Sequence, residues 1–144
     1  MYRSREKELL YNSRHKSSKD IKVCDFCQVP EWQVVNKYKF FKVIKNRFPY
    51  SLWDLKSVEE HLMLVPNRHF GQFQNMSNEE KGEFAKVLAT FEVDYDLFIR
   101  ATKSSIKSQI HYHVHLIKNG GRRIGGLLYS RQPYSGCLGK TIPF

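Results

Sequence analysis

Residues 110–117 read Ile110-His111-Tyr112-His113-Val114-His115-Leu116-Ile117. On a β-strand, side chains at i, i+2 and i+4 share one face. The alternation therefore predicts a strand over 110–118, with three imidazoles on one side and Tyr112, Val114 and Leu116 buried on the other. Three of the chain's six histidines fall within these five positions, and imidazole has no packing advantage that would assemble such a row. Titratable side chains crowded on one face mark a chemical site. Two chemistries suit it. The three can ligate a catalytic metal, or a neutral imidazole can attack phosphorus directly while its neighbours supply hydrogen bonds and charge. A row from i to i+4 spans about 13 Å, too long to meet at one ion without bending. Geometry favours the nucleophile.

Outward from the row, the remaining elements read as α+β. Upstream, Ser77-Asn78-Glu79-Glu80 is a capping box. Phe84, Val87, Leu88 and Phe91 then recur at helical spacing, which predicts a core-facing helix from about residue 78 to 95. Leu97-Phe98-Ile99 reads as a short buried strand, and 102–109 as a polar loop. Further upstream, His61-Leu62-Met63-Leu64-Val65 is an apolar strand stopped by Pro66-Asn67. Residues 51–60 show no period and read as loop. Trp32, Val34 and Val35 open one strand and residues 37–44 form a second. Residues 4–12 suit a short helix anchored by Leu9, Leu10 and Tyr11, and 13–22 a flexible linker. The tail 119–144, with six glycines, reads mostly as loop. The expected domains are a basic extension (1–22), a catalytic domain (23–118) and a Gly-rich segment (119–144) completing or flanking the site.

Composition narrows the class. A length of 144 residues suits one core and excludes a two-domain enzyme, and 41% hydrophobic content excludes wholesale disorder. No apolar run approaches the roughly 20 residues of a membrane helix. The polar start lacks a secretory signal, and three cysteines make no disulfide framework, so a cytoplasmic location is expected. The net charge of +10 points to polyanions. It is unevenly spread. Residues 1–23 hold seven Lys/Arg and three acids, 118–144 five and none, and 24–117 twelve and eleven. The body is nearly neutral, and the basic ends are candidate contacts for nucleic acid. Cys24-Asp25-Phe26-Cys27 is half a metal site; redox use lacks the strand-to-helix context of a thioredoxin-like turn. Cys137 reads as a plain thiol.

Taken together and in order, these segments resemble the histidine-triad (HIT) family of nucleotide hydrolases and transferases. Residues 111–117 match its His-φ-His-φ-His-φ-φ motif throughout. His61-Leu62-Met63-Leu64-Val65-Pro66-Asn67-Arg68-His69 is similar to its H-φ-φ-φ-φ-P-x-x-H segment. The resemblance covers about residues 24–118. It implies an antiparallel sheet with one main covering helix, to which the sequence adds the short N-terminal helix. It also implies a homodimer and a nucleotide substrate such as a dinucleoside polyphosphate. His113 would be the nucleophile that forms a nucleotidyl-histidine, with His115 on phosphate and leaving-group oxygens. Ser108 matches a phosphate-contacting position. Arg100 and Lys107 replace residues that are commonly Asn or Gln, and would bring positive charge to a polyphosphate. Asn46, in Asn46-Arg47-Phe48-Pro49-Tyr50, resembles a turn that borders the nucleoside. Several branches bind structural zinc through residues matching Cys24, Cys27, His69 and His111. The other implied reading is a catalytically weak nucleotide- or RNA-binding protein on the same fold.

Overall fold

The computed structural model describes residues 3–17, 24–104, 107, 109–123, 128–129 and 135–136. Two helices, α1 (Arg5–Ser17) and α2 (Asn78–Phe91), accompany eight strands. These are β1 (Val34–Lys37), β2 (Phe41–Lys45), β3 (Leu52–Trp53), β4 (Lys56–Pro66), β5 (Asp96–Phe98), β6 (Val114–Arg123), β7 (Leu128–Tyr129) and β8 (Ser135–Gly136). The main sheet runs β1-β2-β4-β6-β5, with β3 on β4, and β7 and β8 make a separate pair. The fold is α+β, as expected.

The chain forms two compact units, and β4 and β6 contribute residues to both. The unit made of Val23–Asn46 and Leu62–Ile117 contains the histidine row. Its core lies on one sheet face, where Phe41, Val43, Leu62, Leu64, Tyr112, Val114 and Leu116 pack with Phe84 and Val87 of α2. Leu88 and Phe91 close the same stripe, so the helical period was legible. The Ser77 capping box is formed in both directions. The helix ends at Phe91, short of the expected 95, because residues 92–95 turn toward β5. Its outer side also grips the β1–β2 turn: the Glu83 carboxylate accepts from the backbone N–H of Lys39 at 3.1 Å and of Phe40 at 2.7 Å. On the opposite sheet face Phe26, Ile44, Met63 and Val65 form a second apolar cluster.

The other unit comprises Met1–Lys22, Arg47–His61 and Lys118–Phe144. Here α1 runs through Ser17, so residues 13–17 of the expected linker are helical, and 18–22 lie outside the described residues. Tyr11 is its anchor, edge-on to Phe48 at 5.6 Å, whereas Leu9 and Leu10 are exposed. Arg3 fixes the helix start by donating to the Phe48 carbonyl at 3.1 Å, with its guanidinium over the rings of Tyr11 and Tyr50. The stretch read as loop at 51–60 is instead the β3–β4 hairpin, with Asp54 and Leu55 both in the left-handed region at φ 49° and 59°. Such a two-residue turn ordinarily carries Asn-Gly or Asp-Gly. Asp-Leu does not announce it.

Candidate functional site

The ladder of β6 begins only at Val114, four residues after the expected start. His111 and His113 therefore lie on the segment leading into the strand, and the row divides. His111 turns to the cysteine pair, while His113 and His115 stay together with ring centroids 5.0 Å apart. This segment is held by the Tyr112 N–H, which donates to the Phe70 carbonyl at 2.6 Å. Gly71 allows the close approach, since a Cβ there would lie 3.3 Å from both Ile110 Cγ2 and the Ile110 carbonyl.

Cys24, Cys27, His69 and His111 form one cluster whose ligand atoms all lie within 4.8 Å of one another. Cys24 Sγ is 3.3 Å from His111 Nδ1, Cys27 Sγ is 3.3 Å from His69 Nδ1, and Cys27 Sγ is 3.6 Å from His111 Nδ1. Two ligands at ordinary Zn–S and Zn–N distances in a tetrahedron stand about 3.5 Å apart. The donor set and its spacing thus suit a four-coordinate metal. His111 is fully buried, and its Nε2–H donates to the Pro66 carbonyl at 3.1 Å, leaving the Nδ1 lone pair aimed at the thiols. Burial, followed by the charge of His69, pushes His111 down to about 4, so the ring is neutral at ordinary pH. Burial pushes the Cys27 thiol up, with Cys24 beside it adding to the effect; a bound cation reverses that preference.

His113 is buried, and its Nδ1 lies 2.8 Å from the His111 carbonyl. A carbonyl only accepts, so Nδ1 carries the proton and Nε2 holds the lone pair. Burial holds the ring below the usual imidazole range, with the positive charges of Lys107 and Arg100 acting in the same direction. Phe26, inside the CxxC, sets its ring 5.0 Å from that of His113 and 5.9 Å from that of His111. One phenyl thus borders both the cysteine–histidine cluster and the neutral imidazole. His115, on β6, pairs with Phe98 of β5, ring to ring at 5.8 Å. The Arg100 guanidinium lies 5.2 Å over that same Phe98 ring.

The expected site residues are therefore placed as follows. The four proposed metal ligands come together. His113 and His115 adjoin each other, Arg100 stacks on Phe98, and Lys107 is half-buried. Asn46 is half-buried immediately after β2. Ser108 and Cys137 lie outside the described residues. Sequence reading passed over Phe26, the Pro66 carbonyl, Phe98 and Phe70. A phenylalanine between the two cysteines of the CxxC pair was the one visible signal; the others act through backbone atoms or strand register.

No family model and no curated protein matches this sequence. Solved structures do. A HIT family hydrolase from Legionella pneumophila Philadelphia 1 superposes with a TM-score of 0.51 at 19% identity, over 78% of this chain and 100% of that one. A diadenosine triphosphate hydrolase from Plasmodium falciparum gives 0.54 at 15% identity, over 85% and 86%. The chain has the histidine-triad fold. A hypothetical histidine triad nucleotide-binding protein from Sulfolobus tokodaii strain7 gives 0.52 at 22% identity, over 67% and 68%. Within the histidine-triad fold, the triad of this chain is His111, His113 and His115. Its first member faces sulfur and its other two face each other.

Proposed function

We propose that this protein is a histidine-triad enzyme that hydrolyses or transfers a nucleoside monophosphate group through a covalent nucleotidyl-histidine. One observation carries the reading: His113 donates from Nδ1 to a backbone carbonyl and so keeps a neutral Nε2 lone pair inside a complete triad. Nε2 attacks the α-phosphorus of a nucleotide. The bond from phosphorus to the leaving group breaks, and its electron pair departs with that group. Attachment makes the ring cationic, and the Nδ1–H···O=C bond to His111 becomes charge-assisted and stronger. Water then attacks phosphorus, the P–N bond breaks, and its electron pair returns to Nε2. His115, 5.0 Å from His113 ring to ring, serves the phosphate and leaving-group oxygens. Asn46 and Ser108 are proposed substrate contacts. Cys24, Cys27, His69 and His111 would hold a structural zinc ion, which would cross-link the segment carrying the cysteines to the segment carrying His113; with four protein ligands it would have a structural role.

The test is a screen of nucleotides in which the enzyme is quenched and assayed for label on histidine. Wild-type protein is expected to turn over at least one substrate and yield an acid-labile adduct. His113→Ala is expected to lose both. Turnover unchanged in His113→Ala would overturn the assignment.

A further inference from the structure

The four residues of the cysteine–histidine cluster come from three stretches of chain. Backbone acceptors bind two of these stretches together. The His111 ring donates to the Pro66 carbonyl at 3.1 Å, and the Tyr112 N–H donates to the Phe70 carbonyl at 2.6 Å. His69 and His111 therefore keep their spacing through the fold itself. The third stretch is the turn Cys24-Asp25-Phe26-Cys27, closed by the Cys27 N–H, which donates to the Cys24 carbonyl at 3.0 Å. Its Phe26 is sunk into the apolar cluster with Ile44, Met63 and Val65. Its exposed residue carries a different hold. The side-chain amide of Gln109 donates from Nε2 to the Asp25 carboxylate at 3.1 Å, across 84 positions of sequence. Asp25 stands between the two cysteines, and Gln109 stands two residues before His111. One bond thus spans the same gap as the 3.3 Å approach of Cys24 Sγ to His111 Nδ1.

Building on the structural metal proposed above, we infer that Asp25 and Gln109 form a clasp that sets the cysteine turn in place before metal binds. They are positioning residues and not ligands, since the converging ligand atoms belong to Cys24, Cys27, His69 and His111. The reason is the cost of order. Binding that must also fix a loose turn against two imidazoles loses part of its free energy to that ordering. A turn already held by Phe26 beneath and by the clasp at its rim loses less, so metal is bound more tightly and released more slowly. The chemistry of the pair is complementary: a side-chain amide offers two N–H donors, and a carboxylate only accepts. The same bond can therefore be rebuilt with its direction reversed, which a merely structural surface contact would not require.

Zinc affinity, read by competition with a chelating dye, tests the clasp without any turnover. Gln109→Ala removes the donor and is expected to weaken zinc binding by about tenfold. Gln109→Glu sets two carboxylates against each other and should weaken it at least as much. The double variant Asp25→Asn with Gln109→Glu turns the bond round, with the Asn amide donating to the Glu carboxylate. It should return affinity to within about threefold of wild type. A second measurement needs no metal. In chelator-treated protein, alkylation of Cys24 and Cys27 by iodoacetamide should be about threefold faster or more in Gln109→Ala, and should slow again in the double variant. Zinc bound equally well by wild type and Gln109→Ala overturns the inference, and so does a double variant as weak as Gln109→Glu. A wild type that takes up no zinc counts against the metal reading beneath. The alkylation rates then decide the clasp alone, and equal rates in wild type and Gln109→Ala overturn it.

Discussion

Glu80 offers the sharpest test of how the helix holds the site. Its carboxylate is buried and accepts from the Ser77 N–H at 2.7 Å, from Arg68 Nη2 at 2.8 Å and from Arg68 Nε at 3.2 Å. Arg68 also donates to the Asn75 carbonyl at 2.8 Å and lies over the Phe70 ring. Arg68 immediately precedes His69 of the cysteine–histidine cluster, and Phe70 supplies the carbonyl that holds Tyr112 between His111 and His113. One carboxylate thus caps α2 and anchors the segment shared by the cluster and the triad. Glu80→Ala removes the reciprocal half of the capping box and leaves the Ser77 N–H without that acceptor. The loss is about 1–2 kcal/mol, which for a chain of this size lowers the melting temperature by roughly 3–6 °C.

The pH dependence of this effect has a definite sign. The bond from Arg68 holds the Glu80 carboxyl below the usual carboxylate range, with the Ser77 N–H adding to it against the opposing effect of burial. The folded state therefore binds the Glu80 proton less tightly than the unfolded chain does. Its stabilisation is complete above the unfolded value of about 4.3 and is lost as pH falls through the lower folded value. Glu80→Gln keeps an oxygen for the Ser77 N–H but never carries the charge. Wild type should exceed Glu80→Gln in stability at pH 7, and the gap should close below about pH 4. Thermal melts followed by circular dichroism at several pH values read both effects. A melting point of Glu80→Ala within about 1 °C of wild type at pH 7, or a wild-type to Glu80→Gln gap that does not change with pH, would refute the reasoning.

Two further outcomes concern the cluster and the core. Freshly purified protein is expected to carry close to one zinc per chain by elemental analysis, and Cys27→Ser to carry much less. Chelation should lower the melting point of wild type and leave Cys27→Ser unmoved, because metal affinity in such sites is part of folding stability. Wild type without zinc and indifferent to chelator would remove the metal proposal. Phe84 is buried against Phe41, Phe73 and Tyr112 at ring distances of 5.6, 5.6 and 6.0 Å. Phe84→Ala should cost about 3–5 kcal/mol by denaturant titration, and a cost under about 1 kcal/mol would deny α2 its place in the core.

What the sequence made legible was what local chemistry encodes. The capping box needs only Ser77 and Glu80 at their spacing, and the stripe from Phe84 to Phe91 needs only the helical period. The cysteine–histidine set was reachable only through likeness to a family, because Cys24 and His111 are 87 positions apart and nothing local links them. The β3–β4 hairpin was missed because Asp54 and Leu55 take left-handed angles without glycine. The strand β5 was read as buried from Leu97-Phe98-Ile99, yet Leu97 and Ile99 are exposed. Three apolar residues in a row do not reveal that, among the described residues, their strand is the last in its sheet. Register hid the rest. That Phe98 meets His115, with Arg100 stacked on Phe98, depends on which residues pair across β5 and β6.

The division of the histidine row shows how one stretch of sequence can serve two purposes. A strand paired throughout would set all three imidazoles in a line about 13 Å long, too long for one centre and too regular for two. Here the ladder stops at Val114, and the released segment obeys other bonds. The Tyr112 N–H goes to Phe70 and the His111 ring to Pro66 and the thiols. The His111 carbonyl goes to the His113 ring. That last bond joins the two halves, since the residue that offers its ring to the cysteines also fixes the proton on its neighbour's Nδ1. A change that loosened His111 from the cluster would move the carbonyl that keeps His113 Nε2 unprotonated. On the proposed reading, loss of a metal from the cluster should therefore weaken His113 as a nucleophile through the backbone of one residue.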